Sequence, residues 1–213
     1  MSIDAMRRNY DAGELTEQQA GDDPIALFRR WFDQAREANA GEWYEANAMT
    51  LATVDESGAP DARIVLLKSI EDQGVVFFTN YTSTKAKQIE SQPTVALVFH
   101  WAWLERQVRI VGKASKIDRK ASEEYFATRP RGSQLGAWVS EQSEPATRDA
   151  LAERLAELEK QFDGQDVPCP PQWGGYFVEA RRIEFWQGRP NRLHDRLVYE
   201  KGESGWTRVR LSP

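Results

Sequence analysis

Near the C-terminus the chain runs Ile183-Glu-Phe-Trp-Gln-Gly188 and then, three residues on, Arg192-Leu-His-Asp-Arg196. Guanidiniums placed two residues either side of an imidazole are chemistry-bearing types at a regular spacing. Read as a β-strand, whose side chains alternate, the segment puts Arg192, His194 and Arg196 on one face. A cationic, hydrogen-bonding ridge of this kind suits an anionic, planar ligand. An Arg-x-His-x-Arg string taken alone reads as a solvated strand face with a structural histidine. Trp186 just upstream, and four further clusters, tip the balance toward a ligand.

Arg63-Ile-Val-Leu-Leu-Lys68 sets a cation at each end of an apolar run. Their odd spacing places them on opposite sides of an ideal strand. They serve two ligand groups, or a bulge brings them together, or they are the snorkelling ends of a buried strand; the segment alone favours the last. Phe78-Thr-Asn-Tyr-Thr-Ser-Thr-Lys85 joins a strand end to a hydroxyl-rich turn and a helix start, which suits a phosphate as well as it suits an ordinary capped helix. Tyr125 and Arg129 fall one helical turn apart, with Ser133 where a new helix starts. The three could converge on a second phosphate, although a solvated helix end is the commoner meaning. Glu105, Gln107 and Arg109 alternate along a strand; Gln107 can both donate to and accept from a heterocycle's amide edge, while Glu105 and Arg109 suit a cross-strand ion pair. Together the clusters supply cations for two phosphates, aromatic walls and amide-reading groups.

The elements that must carry these residues are legible from periodicity. Residues 1–22 are polar, mixed in charge and aperiodic, and read as a flexible N-terminal arm ahead of a single domain over 23–213. Asp23-Pro24 is an N-cap with proline at the first helical position, and apolar residues from Ile25 to Ala35 follow at helical spacing. Strands are expected at Met49–Val54, Ala62–Lys68, Val75–Thr79, Thr94–Trp101, Arg106–Ile117, Gly175–Trp186, Arg192–Tyr199 and Trp206–Leu211, with turns such as Asp55-Glu-Ser-Gly58 between them. Helices are expected at Thr84–Ser91, from Asp118 to Thr128, at Ser133–Val139 and at Thr147–Phe162, the last with Leu151, Leu155, Leu158 and Phe162 on one stripe. Strands joined by short turns favour a mainly β, α+β architecture: an antiparallel barrel with helices packed outside.

Composition excludes several classes. The 213 residues carry a net charge of −5, which argues against a general nucleic-acid binder. One cysteine, Cys169, rules out an intrachain disulfide, and two distant histidines, His100 and His194, give no metal cage. No apolar leader opens the chain and no run is long enough to span a bilayer, so the expected location is the cytoplasm. There is no Gly-x-Gly-x-x-Gly, no Walker loop and no Gly-x-Ser-x-Gly elbow, so any phosphate is held by side chains.

With these residues in view, the chain resembles the pyridoxamine 5′-phosphate oxidase family from about Arg7 to Pro213. The most specific strings are Arg63–Lys68, Leu104-Glu-Arg-Gln-Val108, Gly136-Ala-Trp-Val-Ser140 with Gln142-Ser143, and Ile183–Gly188 ahead of Arg192–Arg196. The resemblance implies an FMN-binding split β-barrel, a homodimer with FMN at the interface, and no metal. It implies FMN contacts from Arg63, Ile64, Val65, Leu66, Leu67, Lys68, Phe78, Thr79, Thr84, Lys85, Gln107, Gln142, Ser143, Trp186 and Arg196. For the substrate, pyridoxamine or pyridoxine 5′-phosphate, it implies Lys68, Tyr125, Arg129 and Ser133 at the phosphate. Arg192, Leu193 and His194 would then lie at the ring, with Arg7 and Tyr10 of the arm closing over it. Arg192 and His194 are the implied catalytic pair, His194 having a pKa suited to moving a proton. The implied reaction passes hydride to FMN and then reduces O2 to peroxide, giving pyridoxal 5′-phosphate. One position departs from the pattern: Thr84 stands where the family often has Arg, leaving its hydroxyl or Lys87 to replace a charge on the FMN phosphate. Two other readings stay open, a related flavin oxidase acting on a phenazine precursor and a non-catalytic flavin- or haem-binding barrel.

Overall fold

The structure is a computed structural model and describes residues 2–6, 9–38, 41 and 44–213. Eight antiparallel strands carry it: β1 (Ala48–Val54), β2 (Pro60–Glu71), β3 (Gly74–Asn80), β4 (Thr94–Trp101), β5 (Arg106–Lys116), β6 (Trp173–Gln187), β7 (Asp195–Gly202) and β8 (Gly205–Arg210). Their order is β3-β2-β1-β4-β5-β6-β7-β8, and β3 pairs back onto β6. Six strands therefore close into a barrel, and β7 and β8 extend beyond it.

The long β6 makes this possible by changing partners. Its first half, Trp173–Glu179, pairs with β3, and its second half, Arg182–Gln187, pairs with β7. The switch coincides with a bulge where Val111 opposes Arg182 and Gly112 opposes Ala180. A β-carbon on Gly112 would lie 2.2 Å from the carbonyl oxygen of Glu179, so glycine is needed for the strands to close there.

Alternating residues fill the interior: Leu51, Phe77, Leu97, Phe99, Val108, Ile110, Val178 and Phe185 are all buried. The helix α2 (Pro24–Glu37) starts as expected, with Asp23 accepting from the backbone N–H of Ile25 and Ala26. Phe28 meets Phe99 at 5.0 Å between ring centroids and Trp31 meets Phe185 edge-on at 5.3 Å, joining the helix to the barrel core. Outside lie α3 (Thr84–Ser91), α4 (Arg119–Ala127), α5 (Arg131–Val139) and α6 (Arg148–Gln161). The last three enclose a second cluster with Phe126, Leu135, Leu158, Phe162 and Trp173. The expected stripe on α6 holds only in part: Leu158 and Phe162 are buried, Leu155 is partly buried and Leu151 is exposed.

The residues read as an arm carry ordered contacts. The short α1 (Glu17–Ala20) has a Thr16–Gln19 capping box. Leu15 is buried, its N–H donates to Asp195, and Arg210 clasps both Glu17 and the Leu15 carbonyl. Among the described residues no helix is long and apolar enough to cross a membrane.

Candidate active site

The anticipated site residues fall into two groups at opposite ends of β6. The first group walls a cleft of about 350 Å³ between β2, β3, α3 and α4–α5. Ile64, Val65, Leu66, Lys68, Phe78, Thr79, Lys85, Tyr125, Arg129 and Gln142 all line it. Leu67 instead points into the core. Lys68 reaches the cleft through a bulge, since Leu67 pairs with Phe77 and Ser69 with Val76, leaving Lys68 as the extra residue. The bulge does not bring the two cations of this strand to one point. Arg63 turns to Thr53, Asp61 and Gln88, on the side toward α3.

At that end, Lys85 Nζ donates to Gln142 Oε1 at 2.7 Å and to Thr79 Oγ1 at 3.3 Å. Burial, and secondarily the nearby Arg63 guanidinium, push its pKa down to about 8. Thr79 Oγ1 also donates to Gln142, and Ser143 Oγ accepts from the Thr84 N–H. The 142–143 loop is thus pinned to the start of α3, and Ser143 holds a positive φ of 78°. Thr84's side chain lies in a separate shallow groove with Asp55 and Glu56, and Lys87 pairs with Glu144.

At the other end of the cleft three rings stack, Phe78 on Tyr125 at 4.0 Å and Phe78 on Trp173 at 5.1 Å. The Arg129 guanidinium lies 4.7 Å from the Trp173 ring centre, and its Nη1 is buried with no hydrogen-bond partner. Ser133 is exposed on the first turn of α5 and does not wall the cleft. Sequence reasoning missed Trp173. The signal was faint: one tryptophan among eight, directly after the rigid Pro168–Pro171 connector.

The second group sits where β6 ends. Gln107 is registered against Trp186, and Trp186 against Arg196, so the three share one face across β5, β6 and β7. Arg196 is already engaged, donating to the buried Glu184 at 2.8 and 3.0 Å and to the Ser212 carbonyl. Arg109 pairs with the same Glu184, the cross-strand ion pair expected for it. Glu105 leaves the alternation, because it is buried in a left-handed turn with φ 52°.

The strand expected at Arg192–Tyr199 begins only at Asp195. Arg192 closes a 3-10 turn, Pro190–Arg192, in which Asn191 and Arg192 both have positive φ. Strand alternation therefore does not align Arg192 and His194 with Arg196. The pair is grouped by the turn instead: Arg192 and His194 line a cleft of about 580 Å³ with Tyr10, Arg189 and Asn191. Leu193 between them is exposed. His194 packs against Trp186 at 4.6 Å and edge-on against Tyr10 at 5.3 Å. Its Nδ1 accepts the Arg189 N–H at 3.0 Å, which assigns the neutral ring's proton to Nε2. Burial, then Arg192, lower its pKa, favouring that neutral form. Arg7 lies outside the described residues.

Trp173 and Trp186 are thirteen residues apart, on the order of 40 Å along the strand. No described contact joins the two groups within one chain.

Residues 35–162 match the family model described as pyridoxamine 5′-phosphate oxidase. The chain belongs to that family. Residues 173–213 match the pyridoxine 5′-phosphate oxidase C-terminal dimerisation region, which supports a homodimer. A pyridoxine/pyridoxamine 5′-phosphate oxidase of Rubrobacter xylanophilus is 56% identical, over 98% of this chain and 95% of its own length. One from Bordetella pertussis is 52% identical over the whole of both. Among solved structures, PhzG of Burkholderia lata, in complex with tetrahydrophenazine-1-carboxylic acid, has a TM-score of 0.88 at 30% identity, covering 97% of this chain and all of that one. The expected split-barrel fold, the oxidoreductase class and the FMN cofactor stand with family membership. The first cleft fits such a group on its own chemistry. An ammonium whose hydrogen bonds go only to neutral oxygens, beside an Arg63 guanidinium already paired with Asp61, leaves the end of the cleft with a net positive charge that a phosphate would balance.

Proposed function

We propose that this chain oxidises pyridoxamine 5′-phosphate or pyridoxine 5′-phosphate to pyridoxal 5′-phosphate. O2 is the final acceptor and hydrogen peroxide the second product; the amine also takes up water and releases ammonia. The observation that carries the reading is Arg129. Its buried Nη1 has no protein partner, and it lines the same cleft as Lys68 and Tyr125, so a phosphate is the ligand that completes the set.

In this reading Arg63, Thr79, Lys85, Gln142 and Ser143 hold the FMN phosphate, while Lys68, Tyr125 and Arg129 hold that of the substrate. The Gln107–Trp186–Arg196 row and the Arg192–His194 turn act from a second copy, because one chain separates them from the cleft. FMN, when bound, supplies the hydride acceptor and the route to O2. The protein's own part is positioning and charge. Arg192 brings a fixed cation to the substrate's ring oxygen. His194, with Nδ1 occupied by a backbone N–H, donates from Nε2; this makes it a hydrogen-bond donor that orients the substrate rather than a base that takes its proton. The stacked Phe78, Tyr125 and Trp173 set one apolar wall and limit water beside the phosphate grip.

Likeness to PhzG favours a phenazine-precursor oxidase at the level of the fold. A substrate without phosphate would leave Lys68, Tyr125 and Arg129 nothing to share. The test is to load the protein with FMN and supply each phosphate ester under air, following aldehyde and peroxide. Stoichiometric formation of both is the expected result. A flavin-loaded protein that makes neither sinks the reading.

A further inference from the structure

Glu105, which leaves the alternation of Gln107 and Arg109, lies beneath the ring-side cluster. It is 2% exposed, and its left-handed backbone turns the chain from the 3-10 turn Ala102–Leu104 into β5. Its carboxylate Oε2 accepts the N–H of Ala12 at 2.9 Å, a contact spanning 93 residues of sequence. Its backbone carbonyl accepts the N–H of Gly188 at 2.7 Å and an Nε2–H of Gln187 at 3.3 Å. Gln187 is itself held by Arg106 Nε at 2.8 Å. One residue thus joins the N-terminal segment to the end of β6, where Trp186 sits.

Gly188 shows how close the fit is. A β-carbon there would lie 2.6 Å from Cδ1 of Tyr10 and 2.9 Å from Cβ of Glu105. Tyr10 therefore rests directly on the Gly188 backbone, with Glu105 on its flank. From that seat its ring meets Trp186 edge-on at 5.8 Å and His194 at 5.3 Å.

We propose that Glu105 is a positioning residue: through the Ala12 N–H it clamps the N-terminal segment to the end of β6 and so seats Tyr10 over the ring-binding side of the active site. The role in catalysis rests on the reaction proposed above. The clamp itself is a property of the free protein. A hydrogen bond from a backbone N–H to a buried carboxylate is of the stronger, charge-assisted kind, so its loss changes seating by about tenfold or more. Glutamine keeps an acceptor of the same reach, whereas alanine keeps none.

The experiment compares the FMN-loaded wild type with Glu105→Gln, Glu105→Ala, Tyr10→Ala and the double variant Glu105→Ala/Tyr10→Ala. Amide hydrogen exchange of a peptide containing Ala12, measured without substrate, reads the clamp directly. In Glu105→Ala, protection there should fall about tenfold and KM for pyridoxamine 5′-phosphate should rise about tenfold. FMN affinity and kcat should stay within twofold, and Glu105→Gln should recover most of the loss. The double variant should be no worse in KM than Tyr10→Ala, because Glu105 acts through that ring. Unchanged protection at Ala12 in Glu105→Ala overturns the clamp, as do additive KM losses or a parallel collapse of FMN binding. If Glu105→Ala does not fold, Gly188→Ala presses a methyl on Tyr10 and should give the same KM rise with FMN retained; an unchanged KM there overturns the proposal. A wild type that turns over neither phosphate ester defeats the proposed reaction, while the exchange measurement still decides the clamp.

Discussion

The two halves of the candidate site are built in opposite ways. The phosphate-gripping cleft takes most of its residues from β2, β3 and the helices α3, α4 and α5, with Arg129 in the α4–α5 connection, Gln142 in the loop after α5 and Lys68 at a bulge in β2. The ring-side cluster depends on irregular backbone: a left-handed Glu105, two consecutive positive φ values at Asn191 and Arg192, and an N-terminal segment laid across them. Regular elements fix charge at low local strain. Irregular ones cost conformational energy but can aim a single side chain. The cleft should therefore lose binding when a charge is removed, and the cluster should lose turnover when Arg192 or His194 is removed.

The largest expected effect is at Arg129. Arg129→Ala removes a buried guanidinium nitrogen without a partner, the one such nitrogen among the described residues, and a charged hydrogen bond of this kind is worth about 1.5–3 kcal/mol. Steady-state assays should show kcat/KM down by about a hundredfold, almost all of it through KM. A fall carried by kcat would move Arg129 from grip to chemistry and erase the contrast between the halves.

Next come Arg192→Ala and His194→Ala. Each should lower kcat by about ten- to thirtyfold, a loss of positioning, with the flavin spectrum of the purified protein unchanged. Because His194 Nδ1 is occupied and its pKa lies below the ordinary value, turnover of the FMN-saturated protein should be flat above neutral pH and fall on acidification, as the imidazolium forms beside Arg192. Release of FMN from either variant would place the cluster with the grip.

These two halves were not equally legible. The elements that carry or flank Lys68, Phe78, Thr79, Lys85, Tyr125 and Arg129 show visible periods, but the grouping of those residues does not follow from them: read alone, Arg63–Lys68 favours snorkelling strand ends and Tyr125–Arg129 a solvated helix end, and only the family resemblance draws them to one site. The Arg192–His194 pair was grouped by the wrong geometry. Alternation was applied to three residues that form a turn, and the signal against a strand was Pro190-Asn191 just ahead. Trp173 and Glu105 stayed hidden for another reason. Their importance comes from contacts of long sequence separation, Arg129 on Trp173 and Ala12 on Glu105, which no local period encodes. The seat of Tyr10 could not be read either, since a polar, aperiodic stretch gives no sign that Leu15 is buried and Arg210 engaged.

A smaller effect separates charge from shape within the cleft. In the proposed reading Lys85 meets the phosphate as its ammonium, a form that in the free protein is lost as pH rises through about 8. FMN affinity should be full below pH 8 and fall above it, levelling off at a total loss on the order of tenfold. Lys85→Gln should bind FMN about tenfold more weakly at pH 7 and show no such slope. Fluorescence titrations at pH 7 and 9 check both points. A slope that survives in Lys85→Gln would assign the titration to another group.

The smallest effect is at Thr84, and it tests how finely the grip is tuned. Thr84 contributes a backbone N–H to Ser143, while its side chain faces the groove of Asp55 and Glu56. Arginine there adds a cation one residue before Lys85, near the phosphate end, but those two carboxylates compete for it in a solvent-screened setting. Thr84→Arg should therefore tighten FMN by only two- to threefold at low salt, and by less at 0.5 M salt. Tightening of tenfold or more would mean that the guanidinium turns fully into the cleft, making the native threonine a real deficit in the charge grip. Unchanged or weaker binding would mean that the Asp55–Glu56 groove captures it, leaving Arg63 and Lys85 as the cations that hold the phosphate.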